Sequence, residues 1–191
     1  MLIINLMIIT LLIWSVILLS GVKIMFIPKY TKVIMFLFIA YAPFSNLIEG
    51  YKLGYTGISS IIILSIVFLL IFIWGYRRNK HIYSIHNVKQ KDVINIIERY
   101  LEIKNIKYEV REEEIYLPEF YKTIFVNGLT GISLDCRDIK DMDFYNELVE
   151  KVRVGIKEIK RRYFSIEGMF YLIFVGIFYC IRTDFLVGFL K

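Results

Sequence analysis

The chain reads as a membrane α-helical protein with three N-terminal transmembrane helices and a fourth at the C-terminus, into which a cytoplasmic α+β domain of order β-α-β-β-β-β-α is inserted. Three observations predict this. Hydrophobic residues make up 57% of the 191 positions, and the mean hydropathy of +0.57 is well above that of an ordinary soluble domain. Charge is confined, with 33 of the 42 Asp, Glu, Lys and Arg residues lying between Arg77 and Arg162. Inside that polar stretch the hydrophobic period changes several times, as it does where short strands and helices alternate. The chain therefore divides into a three-helix membrane region at 1–78, a cytoplasmic domain at 79–163, and a C-terminal transmembrane or interfacial helix at 164–191.

The first 22 residues carry no charged side chain, and a helix of that length covers the roughly 30 Å hydrocarbon core of a bilayer. No basic residue precedes the run and no small-residue cleavage site follows it, so it reads as an anchor. A second span is expected from Val33 to Ile48, with Pro43, Ser45 and Asn46 in its second half, and a third from Ile58 to Tyr76. Lys23, Lys29 and Lys32 follow the first span and Arg77, Arg78 and Lys80 the third. By the positive-inside rule, both of those flanks and the polar domain face the cytoplasm and the N-terminus faces out. The fourth span is shorter, since only Gly168 to Ile181 is free of charge. Glu167 and Arg182 are then expected to snorkel to opposite surfaces, with the final apolar residues in the interface.

Within the polar domain, "HIYSIHNV" is β-branched and aromatic and predicts a first strand. Asn87 and Gln90 have the spacing of a capping box, ahead of Val93, Ile96, Ile97, Tyr100 and Leu101 at helical intervals. "IKYEVREEEIYLP" predicts a hairpin turning at Glu112 and Glu113, and "KTIFV" and "ISLDC" a second pair joined by "NGLTG". A last helix begins near Asp141 and Asp143 and keeps Phe144, Leu148, Val152, Ile156 and Ile159 on one stripe. With no proline after it, this helix is expected to run on into the fourth span as one rod, with Gly168 as a hinge.

The chemistry-bearing residues are few. His81 and His86 stand five apart in a strand, on opposite faces, and cannot chelate one metal. Asp135, Asp138, Asp141 and Asp143 lack the order and closing glutamate of a calcium loop. Cys136 and Cys180 fit neither a disulfide framework nor a zinc spacing. No phosphate loop, nucleophile elbow or kinase signature is present, so no catalytic residue, cofactor or metal is assigned. Between Arg77 and Arg162 stand 18 basic and 15 acidic residues, a balance of +3 that does not make a nucleic-acid surface. Lys157, Lys160, Arg161 and Arg162 are instead expected to meet anionic lipid heads of the inner leaflet.

The function that follows is that of a small multi-pass membrane protein. Its cytoplasmic domain would act as an interaction or regulatory module, coupled to the bilayer by the continuous helix, with a protein partner or a second copy as its target. The alternative is a subunit of a small-molecule or ion transporter or channel. There Pro43, Ser45 and Asn46 would form an interrupted helix beside the path. A membrane-embedded lipid-modifying enzyme ranks below both, because no acid, base and nucleophile converge.

Overall fold

A computed structural model describes residues 2–78, 80–128, 131–161, 163 and 165–189. Its elements in order are α1 (Leu2–Leu19), β1 (Ile24–Phe26), α2 (Lys29–Lys52), α3 (Ile58–Arg78), β2 (Ile82–His86), α4 (Gln90–Ile103), β3 (Glu109–Arg111), β4 (Glu114–Leu117), β5 (Lys122–Asn127), β6 (Ile132–Asp135), α5 (Tyr145–Glu158) and α6 (Ile166–Phe189). They form two compact units, one of residues 1–26 with 82–191 and the other of residues 27–81.

In the first unit all six strands join one antiparallel sheet of order β1-β2-β6-β5-β4-β3. Strand side chains alternate between faces. Tyr83, Ile85, Ile115, Leu117, Ile124, Val126, Ile132 and Leu134 all fall on one face and are buried. The apolar stripes of α4 and α5 complete this core with Val93, Ile97, Leu101, Leu148, Val152 and Ile156, each fully excluded from solvent. Polar clasps fix the helices to the sheet: Gln90 Nε2 donates to the carbonyl of Val126, and the hydroxyls of Tyr83 and Tyr145 lie 2.7 Å apart. The β3–β4 turn places Glu112 in the left-handed region at φ 47, as a two-residue hairpin loop requires.

The other unit is a helical hairpin of α2 and α3. Its turn is tight: the amides of Tyr55 and Thr56 both donate to the carbonyl of Gly50, Thr56 Oγ1 donates to the carbonyl of Leu47, and Gly54 sits at φ 77. Aromatic rings step along the helix interface, with Phe44 against Phe68, Phe68 against Phe36, and Phe36 against Phe72 at centroid separations of 5.5, 5.2 and 5.5 Å.

Several expectations are overturned here. Among the described residues one helix, over Ile58–Arg77, is long and apolar enough to cross a membrane, so the chain is not a multi-pass protein of three or four transmembrane helices. The apolar parts of α1 and α6 are the shorter Asn5–Leu19 and Ile166–Cys180. The first apolar run stops at Leu19 because the chain turns at Gly21, at φ 73, and enters the sheet as β1. The expected second span lies in an α2 that carries Lys29, Lys32, Glu49 and Lys52 within its own length. The inserted domain is likewise incomplete as expected, because its sixth strand comes from residues ahead of α2.

The continuous rod is also absent. α5 ends at Glu158, Ile159 is extended at φ −65 and ψ 110, and α6 starts afresh at Ile166. Two bonds accompany the break, one long-range and one within the turn. Lys23 Nζ donates to the carbonyl of Ile159, and Ser165 Oγ accepts from the amide of Gly168 at 3.1 Å, as a helix-capping serine does. The capping box at Asn87 is a further correction. Lys89 precedes α4 without a side-chain cap bond, while Asn87 stands in the left-handed region at φ 62.

Candidate functional site

The most elaborate polar constellation lies where α1 and α6 meet the sheet. His86 closes β2 on the face opposite the core, one residue past Ile85. Its ring stacks on Phe26 of β1 at 5.5 Å and 9°, and meets the edge of Trp14 of α1 at 5.9 Å and 86°. His86 Nδ1 is 2.8 Å from Glu167 Oε2 in the first turn of α6. The Tyr171 hydroxyl, one turn on, donates to the other carboxylate oxygen at 3.4 Å.

The neighbouring residue extends this junction. Asn87 Nδ2 donates to the carbonyls of Leu18, in the last turn of α1, and of Val22, in the loop after it, at 2.9 and 2.8 Å. Ser15 Oγ donates to the carbonyl of Gly168 at 3.0 Å, so α1 and α6 cross antiparallel at a glycine. A Cβ at Gly168 would come within 3.0 Å of Leu19 Cγ and 3.1 Å of Leu18 Cβ. Gly131 plays the same part beside the pair, where a Cβ would lie 3.0 Å from both Glu167 Oε2 and His86 Cε1.

This geometry orients an imidazole through a carboxylate. With Nδ1–H donating to Glu167, the opposite nitrogen Nε2 is buried without a partner among the described residues, as is Asn87 Oδ1. A histidine held in this way can act as a base or a metal ligand. No three His, Cys, Asp or Glu residues are grouped to hold a metal among the described residues. What the arrangement does is join α6, β2, β1 and α1 through one desolvated contact.

The residues singled out from the sequence lie elsewhere. Pro43 is inside α2, half-buried, and Asn46 is exposed. Ser45 lines an open groove with Tyr41, Phe44 and Ile48 near the hairpin turn. Lys157 lies in the last turn of α5, Lys160 and Arg161 follow the helix in the connection, and all three are exposed. Arg162 lies outside the described residues. The aspartates are not gathered: Asp135 is engaged by the Arg137 guanidinium at 2.5 to 2.9 Å. Cys136 is fully buried, and burial pushes its thiol up from the ordinary cysteine value.

His86 and Glu167 were not paired by sequence reasoning, which read His86, with His81, as a surface or satisfied histidine and Glu167 as a snorkelling acid. They stand 81 positions apart, and no periodicity connects a strand end to a distant helix start. No protein-family model, curated protein or solved structure matches the chain.

Proposed function

We propose that the protein is a membrane-associated interaction and regulatory module whose α+β domain, built on the antiparallel sheet, is held at a bilayer by apolar helices. One observation carries this reading, the apolar surface that the helices leave uncovered. On α1, Leu6, Ile9, Ile13 and Val16 are more than half exposed, and on α6 Phe170, Ile173 and Tyr179 are as well. None of the Ile58–Arg77 window is buried. Water-soluble monomers rarely show contiguous apolar patches beyond a few hundred Å². Leaving such area in water costs about 25 cal/mol per Å².

The lengths limit what each helix does. Asn5–Leu19 and Ile166–Cys180 are 15 residues each, which at about 1.5 Å per residue is roughly 22 Å, less than the hydrocarbon thickness. α1 and α6 therefore immerse as a stalk. Lys157 in the last turn of α5 and Lys160 and Arg161 beyond it are basic and exposed, which supports a position of the sheet domain beside an anionic leaflet. The sheet face opposite the core keeps Tyr116 and Phe125 half-exposed, with the Arg111 guanidinium 5.1 Å over the Tyr116 ring, as a surface for a protein partner.

The test is flotation of the detergent-depleted full chain with lipid vesicles, combined with labelling of Cys180, which is exposed on α6. The chain should float, and a charged maleimide should fail to reach Cys180 while an apolar one labels it. A chain that stays in the aqueous fraction as a monomer, with Cys180 open to the charged reagent, would refute the reading.

A further inference from the structure

The sheet ends in two edge strands, and they differ. β1 at one end is half-buried along its length, whereas all three residues of β3 at the other, Glu109, Val110 and Arg111, are exposed. β3 contains neither Lys nor Pro, and its register against β4 runs without a bulge, so three of the usual guards against edge pairing are missing from it. The two-residue loop after β3 makes Arg111 and Glu114 the bonded pair that closes the hairpin. Val110, opposite Ile115, is then an unbonded position whose N–H and C=O point away from β4.

The side chains of this edge complement themselves. Two copies of β3 laid antiparallel about a two-fold axis at Val110 exchange both main-chain bonds at that residue, and Glu109 of each copy comes opposite Arg111 of the other. Those flanking positions are the closer, unbonded kind of pair, where opposite charges attract and like charges repel. Moving the axis to Glu109 sets two carboxylates against each other, and moving it to Arg111 sets two guanidiniums. Within one chain Arg111 Nη2 already donates to Glu109 Oε2 at 2.7 Å, with the two side chains 61% and 54% exposed. So exposed a pair contributes little, and exchanging it across the axis costs little. The charges therefore serve to choose the partner and the register. On the other face Val110 is 41% exposed although its register partner Ile115 is fully buried, so it forms an open rim of the core. Val110 of a second copy would cover that rim.

We propose that β3 pairs with β3 of a second copy, joining two six-stranded sheets into one continuous sheet. The self-complementarity identifies the occupant, because each charge of β3 finds its opposite only when the incoming strand has Glu and Arg in β3's own order and spacing. With three residues in each strand the contact is weak and reversible. It also brings the half-exposed Tyr116 and Phe125 of both copies onto one face, which extends the partner surface described above. The inference goes beyond the membrane reading and does not depend on it.

Sedimentation equilibrium of the full chain in density-matched mild detergent, over a concentration series, tests it. The parent should show a reversible monomer and dimer equilibrium. Glu109→Arg or Arg111→Glu turns both cross-axis pairs repulsive and should weaken self-association about tenfold or more. Mixing the two variants sets opposite charges against each other again at both pairs, so the mixture should dimerise like the parent. Circular dichroism checks that each variant keeps the parent's fold. A parent that stays monomeric, a dimer that neither variant weakens, or a mixture that does not recover overturns the proposal. A chain that floats with vesicles but does not dimerise sinks this inference alone, whereas one that dimerises as expected without floating sinks the membrane reading alone.

Discussion

Removing the carboxylate of Glu167 tests whether the contact between His86 and α6 holds the stalk to the sheet. The His86 side chain is 7% exposed and that of Glu167 20%, with 2.8 Å between Nδ1 and Oε2. Glu167→Ala would leave both ring nitrogens of His86 without a partner in a site already closed by Trp14 and Phe26. Stranding a buried polar group costs about 1–3 kcal/mol. The Tyr171 hydroxyl loses its acceptor as well, but at 3.4 Å that bond is weak. A loss of about 2–3 kcal/mol is therefore expected for Glu167→Ala, or roughly 4–12 °C in the unfolding midpoint of a chain of this size. Glu167→Gln keeps an oxygen to accept from Nδ1–H and should recover much of the loss. The assay is a double-mutant cycle with His86→Phe, which keeps the ring stack, read by thermal unfolding of the purified full chain in detergent. The coupling energy should be about 1–3 kcal/mol. If Glu167→Ala and Glu167→Gln unfold like the parent, or the two sites add without coupling, the contact does not hold the junction and the argument fails.

Asn87 combines a left-handed backbone at φ 62 with two side-chain bonds to α1 and its loop. Asn87→Ala should cost about 2–4 kcal/mol, the sum of backbone strain and lost bonds, and Asn87→Gly roughly 1–2 kcal/mol less, as measured by denaturant unfolding. Gly168→Leu has no room against Leu18 and Leu19, so it should separate α1 from α6, read as faster proteolysis of the stalk, while Gly176→Leu, where a Cβ meets nothing within 4 Å, should not. Tyr100 is pushed up to about 12 by burial and then by the Glu147 carboxylate, and burial raises Tyr145 as well. An unfolded phenol ionises near about 10, so this stability is complete below that pH and is lost as pH rises from there through about 12. Tyr100→Phe should flatten that alkaline loss of stability, and an unchanged profile would count against the buried-phenol account.

Much of the local structure could be read from residue order, since it depends on neighbours in the chain. The stripe of Val93, Ile97 and Leu101 marks a helix and Glu112–Glu113 a hairpin turn wherever the rest of the chain goes, because amphipathic period and turn geometry are short-range properties. The junction could not be read in the same way. Ser165 is a helix cap only because Gly168 follows within hydrogen-bonding reach, and Ile159 leaves the helix where a lysine from near the other end of the chain takes its carbonyl. An apolar stripe that ran past Phe144 to Ile159 showed nothing of either partner.

What the sequence by itself determined is composition and period: an apolar α3 of membrane length, basic residues at one end of its hairpin, and alternating strands and helices between Ile82 and Glu158. Only the tertiary structure decided that Ile24–Phe26 is one edge strand of the sheet, that α5 and α6 are separate helices, and that His86 and Glu167 are partners. The physical reason is the reach of the forces involved. Helical and strand periodicity is set within a few residues, whereas strand pairing, a buried polar contact and the close crossing of two helices at Gly168 join groups whose separation along the chain carries no information about their separation in space.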